Sequence, residues 1–318
     1  MNIYGFDRKS FATPQTRTLL AVLIGLIILV YSLLFNKNMF GLIDINICED
    51  LRIEIVNVGQ GDCSIIRTPK GRTILIDGGT NVSTKEARQI GRVRIQDYLA
   101  KLGIDEIDAI VVTHWHIDDF SGLIPVLNEY KVHAVYETAN LYKNDLYNDF
   151  EMICEKKSIK RITVRAGYQL EMGDDVFIQV LNPEETFGSN VQAEINNDSI
   201  VLLVRYGKVQ TLMCADIGED AEREVVKYNT CLKSQIIKIP DHGADRSGYR
   251  PFFEMVDAKV GLISVGANNP FGYPSVKHLE YLEGRGTKLY RTDLNGNIHI
   301  RVGGKDENDF QISVDRKL

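Results

Sequence analysis

Cysteine is scarce in this chain, and nothing pairs it. The five cysteines (Cys48, Cys63, Cys154, Cys214, Cys231) are odd in number and form no CxxC pair, which excludes a disulfide framework and a cysteine zinc site. Cys63, Cys214 and Cys231 sit in or beside apolar runs and read as buried thiols. Basic residues are not in excess either: 37 Lys and Arg stand against 43 Asp and Glu, a net charge of −6. That balance excludes a broad basic surface for duplex DNA, although a local groove fits it. No internal repeat and no low-complexity linker break the chain. With 318 residues, 44% hydrophobic and 25% charged, it has material for one large domain or two small ones.

Charge is missing altogether from Thr18 to Asn36, and Leu19 to Phe35 is almost wholly apolar. As a helix this stretch reaches roughly 28 Å at ~1.5 Å per residue, enough to cross a bilayer core. It is longer than a signal-peptide core and no small-x-small cleavage site follows, so an uncleaved anchor is expected over 18–36. Arg8, Lys9 and Arg17 precede it and Lys37 stands alone after it. Basic flanks stay in the cytoplasm, which predicts a single-pass membrane protein with a cytoplasmic tail at 1–17, a linker at 37–50 and the main domain, 51–318, outside the membrane.

Within that domain one stretch stands apart. Ile107 to Val112 reads as a buried strand rich in β-branched residues, and it runs into Thr113-His114-Trp115-His116-Ile117-Asp118-Asp119-Phe120-Ser121-Gly122. Two histidines and two acids in six residues are costly to bury unless a cation satisfies them. His114 and His116, two apart on extended backbone, project to one side and can share an ion. Asp118 and Asp119 reach toward a second ion or a bridging water.

The rest of the domain alternates element types. Strands are expected at Leu51–Val58, Cys63–Arg67, Arg72–Ile76 and Val132–Tyr136, with helices from the Ser83/Glu86 capping box to Leu102, over Leu123–Tyr130 and over Asn144–Glu155. The second half offers strands at Val176–Leu181, Ser199–Tyr206, Val209–Cys214, Ser234–Ile239 and Gly261–Val265, helices near Glu219–Lys227 and Val276–Leu282, and three closing strands. Asp216 and Asp241-His242-Gly243 each follow a strand. Strand runs with helices between them predict an α+β domain, two sheets face to face and covered by helices, a four-layer αββα sandwich.

These residues carry a resemblance. Asn57-Val58-Gly59-Gln60-Gly61-Asp62, Asp77-Gly78-Gly79, Asn197-Asp198-Ser199 and Asn269-Pro270-Phe271-Gly272-Tyr273-Pro274-Ser275, with the histidine cluster, resemble the metallo-β-lactamase fold. Within it the likeness is to the hydrolase domain of competence-type DNA-uptake proteins, over roughly Leu51 to Val302. The resemblance implies a hydrolase with one or two divalent ions (Zn²⁺ or Mn²⁺, with Mg²⁺ compatible) and a metal-activated water. His114 and His116 would hold the first ion, Asp118 would bind one ion and orient the nucleophile, and Asp216 would bridge both ions. Asp119, Asp241 and His242 would surround the second ion. Asn197 and Ser247 stand at substrate-binding places, Ser247 being equally suited to capping its own turn.

The chain departs from the family pattern HxHxDH, because Asp119 stands where the last histidine belongs. Asp241 likewise replaces the first histidine of His-His-Gly, Tyr273 replaces a histidine of the closing loop, and Ala215-Asp216 replaces Gly-Asp. Tyr273 can donate to a leaving oxygen or merely fill space. Aspartates are harder ligands than imidazoles and favour Mn²⁺ or Mg²⁺. Four acids (Asp118, Asp119, Asp216, Asp241) would balance two divalent ions, which weakens attraction for a phosphodiester anion. Two functions follow: a membrane-anchored phosphodiesterase or nuclease, or a degenerate relative that binds a partner or polymer at the cell envelope without turnover. β-Lactam hydrolysis is disfavoured by the histidine-poor second site. His133 and His299, in strands, read as satisfied structural residues.

Overall fold

The computed structural model describes residues 50–80, 94–139, 145–173, 175–184 and 192–316. The expected span at 18–36 and the start of the helix at Ser83 lie outside them. Among the described residues no helix is long and apolar enough to cross a membrane.

The first half forms β1 (Leu51–Ile55), β2 (Ser64–Arg67), β3 (Thr73–Ile76), β4 (Glu106–Val112), β5 (Lys131–Glu137) and β6 (Lys160–Thr163). The second forms β7 (Gln169–Leu170), β8 (Val176–Asn182), β9 (Val201–Tyr206), β10 (Val209–Met213), β11 (Ile236–Lys238), β12 (Val260–Ile263) and β13 (Lys288–Arg291). Then β14 (Ile298–Val302) and β15 (Phe310–Val314) return to the first sheet. One sheet has the order β15-β14-β1-β2-β3-β4-β5-β6, the other β13-β12-β11-β10-β9-β8-β7.

Alternation decides which side chains meet. Ile53, Ile55, Ile66, Ile74, Ala109 and Val111 face Ile178, Val180, Leu202, Val204 and Ile236 in a core between the sheets. Their neighbours Ile65, Leu75, Ile110 and Val112 point the other way, against helices carrying Tyr98, Leu99, Leu123, Val126, Phe150 and Cys154. On the second sheet Leu203, Leu212, Ile237 and Ile263 pack on Ala221, Val225, Phe252, Phe253 and Leu282. Strands buried on both faces are nearly all apolar, and three cores separate four layers.

Several expectations need correction. β6 and β7 were not anticipated; both are short edge strands, β6 with one apolar residue in four and β7 only two residues long, so neither carries an apolar run. The helix Arg250–Val256 was also not anticipated; Pro251 sits in its first turn, where proline is tolerated. Cys231 is exposed, because its 3₁₀ segment Val226–Leu232 turns on the outer layer; Cys63, Cys154 and Cys214 are buried.

His299 is tied as a structural residue should be. It bonds Glu54 of β1 through Nδ1 and approaches Asp315 at 3.0 Å through Nε2. The Glu54 bond holds its pKa up at about 9, outweighing its partial burial. The charged contact is therefore complete below about pH 6.5, the free-imidazole value, and fades as pH rises toward 9. The melting-temperature difference between wild type and His299→Gln should shrink across that window, and a pH-independent difference would refute the linkage. His133, by contrast, is exposed beside Glu106 at 3.4 Å.

Candidate metal centre

Both sheets carry parallel strands at their centre, β3-β4-β5 in one and β10-β11-β12 in the other. Chain leaving the carboxyl ends of such strands lines one rim, where open α/β sheets place their ligands. Asp77 follows β3, Thr113 to Asp119 follow β4, Asp216 follows β10, and Asp241-His242 follow β11. Asp62 comes from the turn between β1 and β2.

The backbone at these ends is tightly turned. Asp77, Ala215, Asp241 and His242 all have positive φ (54°, 48°, 47° and 55°), a region that costs an L-residue about 1–2 kcal/mol. Ala215 explains the glycine of the family pattern: the position demands left-handed backbone. Two glycines serve close approach instead. A Cβ on Gly61 would lie 2.0 Å from the Asp118 carbonyl oxygen, and one on Gly122 would lie 2.1 Å from that of Gly78. The Asp77-Gly78-Gly79 turn thus packs directly under the 118–122 loop, with Gly78 N–H donating to Asp119 O at 2.7 Å and Gly122 N–H to Gly79 O at 2.8 Å.

Trp115 fixes the direction of its neighbours. It is buried edge-on against Phe120, Tyr147 and Phe150 in the helical layer. His114 and His116 therefore turn the opposite way, ring centroids 4.8 Å apart. His114 is oriented by a relay: Thr113 Oγ1 donates to Asp77 at 2.7 Å and accepts from His114 Nδ1 at 2.9 Å. Its Nε2 then faces Asp119 at 3.2 Å and Asp216 at 3.7 Å. His242 is set similarly, Nδ1 donating to Ser264 O at 2.8 Å and Nε2 lying 3.4 Å from Asp216. Such partners behind an imidazole fix its tautomer for metal binding.

One ligand atom each from His114, His116, Asp119 and Asp216 lies within 4.8 Å of the others. Asp62, Asp216 and His242 make a second such group, and Asp118, Asp119 and His242 a third. His114 Nε2, His116 Nε2, Asp119 Oδ2 and Asp216 Oδ1 are buried atoms with no hydrogen bond of acceptable geometry. Buried polar atoms left so are costly unless a cation satisfies them, and a mixed imidazole–carboxylate set suits a first-row divalent ion. The residues fit the group.

Charge within the site is strongly coupled. Burial alone would lower the pKa of His114, but Asp119 and Asp216 hold it up at about 10. Burial, with the positive charge of His114, pushes His116 down to about 3, leaving a neutral imidazole ready to ligate. Burial and the Asp216 charge raise Asp119 to about 7. Asp216 runs the other way: burial opposes ionisation, but His242 and His114 keep its carboxylate ionised. Binding a divalent ion would displace the proton on His114, so uptake should release acid.

Other expected residues fall elsewhere. Asp241, anticipated as a ligand of a second ion, gives both carboxylate oxygens to Arg246 and joins none of the three groups. Ser247 is fully buried and donates to Pro240 O and Ala244 O, so it caps its own turn. Asn197 accepts from Gly218 N–H at 3.0 Å and so positions the chain just beyond Asp216. Tyr273 does reach the site, its ring stacked near that of His242 at 6.4 Å and near Phe271 at 5.4 Å. Two residues escaped the sequence reading. Lys238, 2% exposed, is ion-paired with Asp62, and Arg246 holds Asp241. A lone cation in the apolar run Ile236-Ile237-Lys238-Ile239 was the available signal, since it must find an acid.

Residues 56–266 match the metallo-beta-lactamase superfamily. The chain belongs to it. It is similar to ComE operon protein 3 of Bacillus subtilis (26% identical over 258 residues, 78% of this chain and 33% of that protein). It is also similar to Competence protein ComA of Neisseria gonorrhoeae (25% over 256 residues, 80% and 33%). The chain thus spans about a third of the length of these relatives. A structural match of the same fold is Igni18, a metallo hydrolase from Ignicoccus hospitalis, with a TM-score of 0.50 at 11% identity, covering 78% of this chain and 98% of that one.

Proposed function

We propose that this chain is a membrane-anchored, metal-dependent hydrolase of phosphodiester bonds, acting on nucleic acid outside the membrane. The observation carrying this reading is the convergence of buried, unbonded ligand atoms from His114, His116, Asp119 and Asp216. When bound there, a divalent ion supplies a Lewis acid and makes water acidic enough to act as a nucleophile near neutral pH. Asp118, half-buried at the edge of the group, would orient an attacking water and accept its proton. Tyr273, at the mouth, donates its hydroxyl to the leaving oxygen; its partial burial and the Asp241 charge keep that hydroxyl protonated. Two carboxylates in the ligand set favour Mn²⁺ or Mg²⁺ over Zn²⁺.

The substrate class is supported by the competence proteins among the relatives, and anchoring by the uncharged stretch at 18–36. The test is cleavage of single-stranded DNA and of bis-p-nitrophenyl phosphate by the full chain with Mn²⁺. Asp118→Ala should lower kcat by at least about 100-fold on both, the range of a lost general base. Failure of the metal-loaded wild type to cleave either substrate with Mn²⁺, Mg²⁺ or Zn²⁺ would end the hydrolase reading and leave a binding module.

A further inference from the structure

We infer that the centre holds a single divalent ion, on His114, His116, Asp119 and Asp216, and that Arg246, clamped on Asp241, takes the place of a second. The inference rests on the metal-binding part of the proposed function and not on turnover.

Three observations carry it. First, the only four-membered ligand group among the described residues is His114, His116, Asp119 and Asp216. The two three-membered groups borrow Asp216 or Asp119 from it, and Asp62 in one of them is already paired with the buried ammonium of Lys238. Second, Asp241 is fully buried, yet both its oxygens accept from one guanidinium, Arg246 Nε and, at 2.7 Å, Nη2. A carboxylate engaged in this two-pronged way is not available to a metal ion. Third, Arg246 sets a guanidinium against Asp241, and a second divalent ion brought to that carboxylate would be repelled by it. The field of Arg246 reaches His116, Asp216 and Tyr273.

The substitution also gives Arg246 a task. Its side chain is half exposed at the mouth of the site, and among the described residues Nη1 makes no hydrogen bond. A planar donor fixed beside Tyr273 suits an anionic oxygen of a tetrahedral phosphodiester, the group a second ion would otherwise have met. Asp241 is then a positioning residue, and its change from histidine is the change that recruits the arginine.

The test is Mn²⁺ titration of the chelator-treated full chain, followed calorimetrically and by electron paramagnetic resonance. Wild type should bind one ion tightly. Arg246→Ala, which frees Asp241, should bind two, while Arg246→Lys should stay at one because it keeps a charge on the carboxylate. With bis-p-nitrophenyl phosphate and one equivalent of Mn²⁺, so that only the first site fills, Arg246→Ala should raise KM about tenfold or more, the effect of losing a charge-assisted hydrogen bond. Two ions of equal affinity in the wild type, or one ion in Arg246→Ala, would overturn the inference. One bound ion without hydrolysis would sink the phosphodiesterase reading and leave this inference standing. No ion in any variant would sink both.

Discussion

Asp216→Asn should reduce divalent-ion affinity by at least about 100-fold and abolish hydrolysis, with the far-ultraviolet circular dichroism unchanged. The reason is geometric. One oxygen of Asp216 lies 3.7 Å from His114 Nε2 and 3.4 Å from His242 Nε2, and the other is buried without a partner. Asparagine keeps the shape but removes the charge toward which both imidazoles point. Loss of a partner merely behind a ligand costs 10–100-fold in affinity, so loss of the ligand itself should cost no less. A second signature follows from the electrostatics. Asp216 helps hold the proton affinities of His114 and His242 above those of a free imidazole. In Asp216→Asn without metal, both should titrate at lower pH by NMR. Unchanged affinity together with unchanged histidine titration would contradict the assignment of Asp216 to the centre.

The second large effect concerns stability. Lys238 and Asp62 are both almost wholly buried and paired through Lys238 Nζ. Removing one member of such a pair strands the other charge, at a cost of about 3–5 kcal/mol. Lys238→Met should therefore lower the melting temperature by roughly ten degrees in a domain of this size. It should also disturb the metal centre, because Asp62 N–H donates to Asp119 Oδ1 at 2.6 Å and Asp62 O accepts from Gly79 at 2.8 Å. The double variant Asp62→Asn/Lys238→Met, with no stranded charge, should recover most of the loss. If the single and double variants melt together, the pair is not what holds this corner.

Much of this was legible in residue order. The strand Ile107 to Val112 announced itself by β-branched content, and alternation placed His114 and His116 on one side. Motifs led to Asp216 and His242. The ion pairs were not legible, for a physical reason. Asp62 lies in the turn between β1 and β2 of one sheet and Lys238 ends β11 of the other, far apart in the chain, and no local pattern signals a partner at that separation. The Arg246 contact on Asp241 was hidden on the same ground: an aspartate at a ligand position gives no local sign of the guanidinium it accepts from. Edge strands β6 and β7 were lost because one apolar residue in each is too few to leave a pattern.

The central claim is that these imidazoles and acids meet around a cation. Crystals grown with Mn²⁺ and measured at a wavelength where manganese scatters anomalously test it most directly. The account predicts one strong peak about 2.0–2.3 Å from His114 Nε2, His116 Nε2, Asp119 and Asp216. No peak at that point, with the four side chains arranged as here, would contradict it.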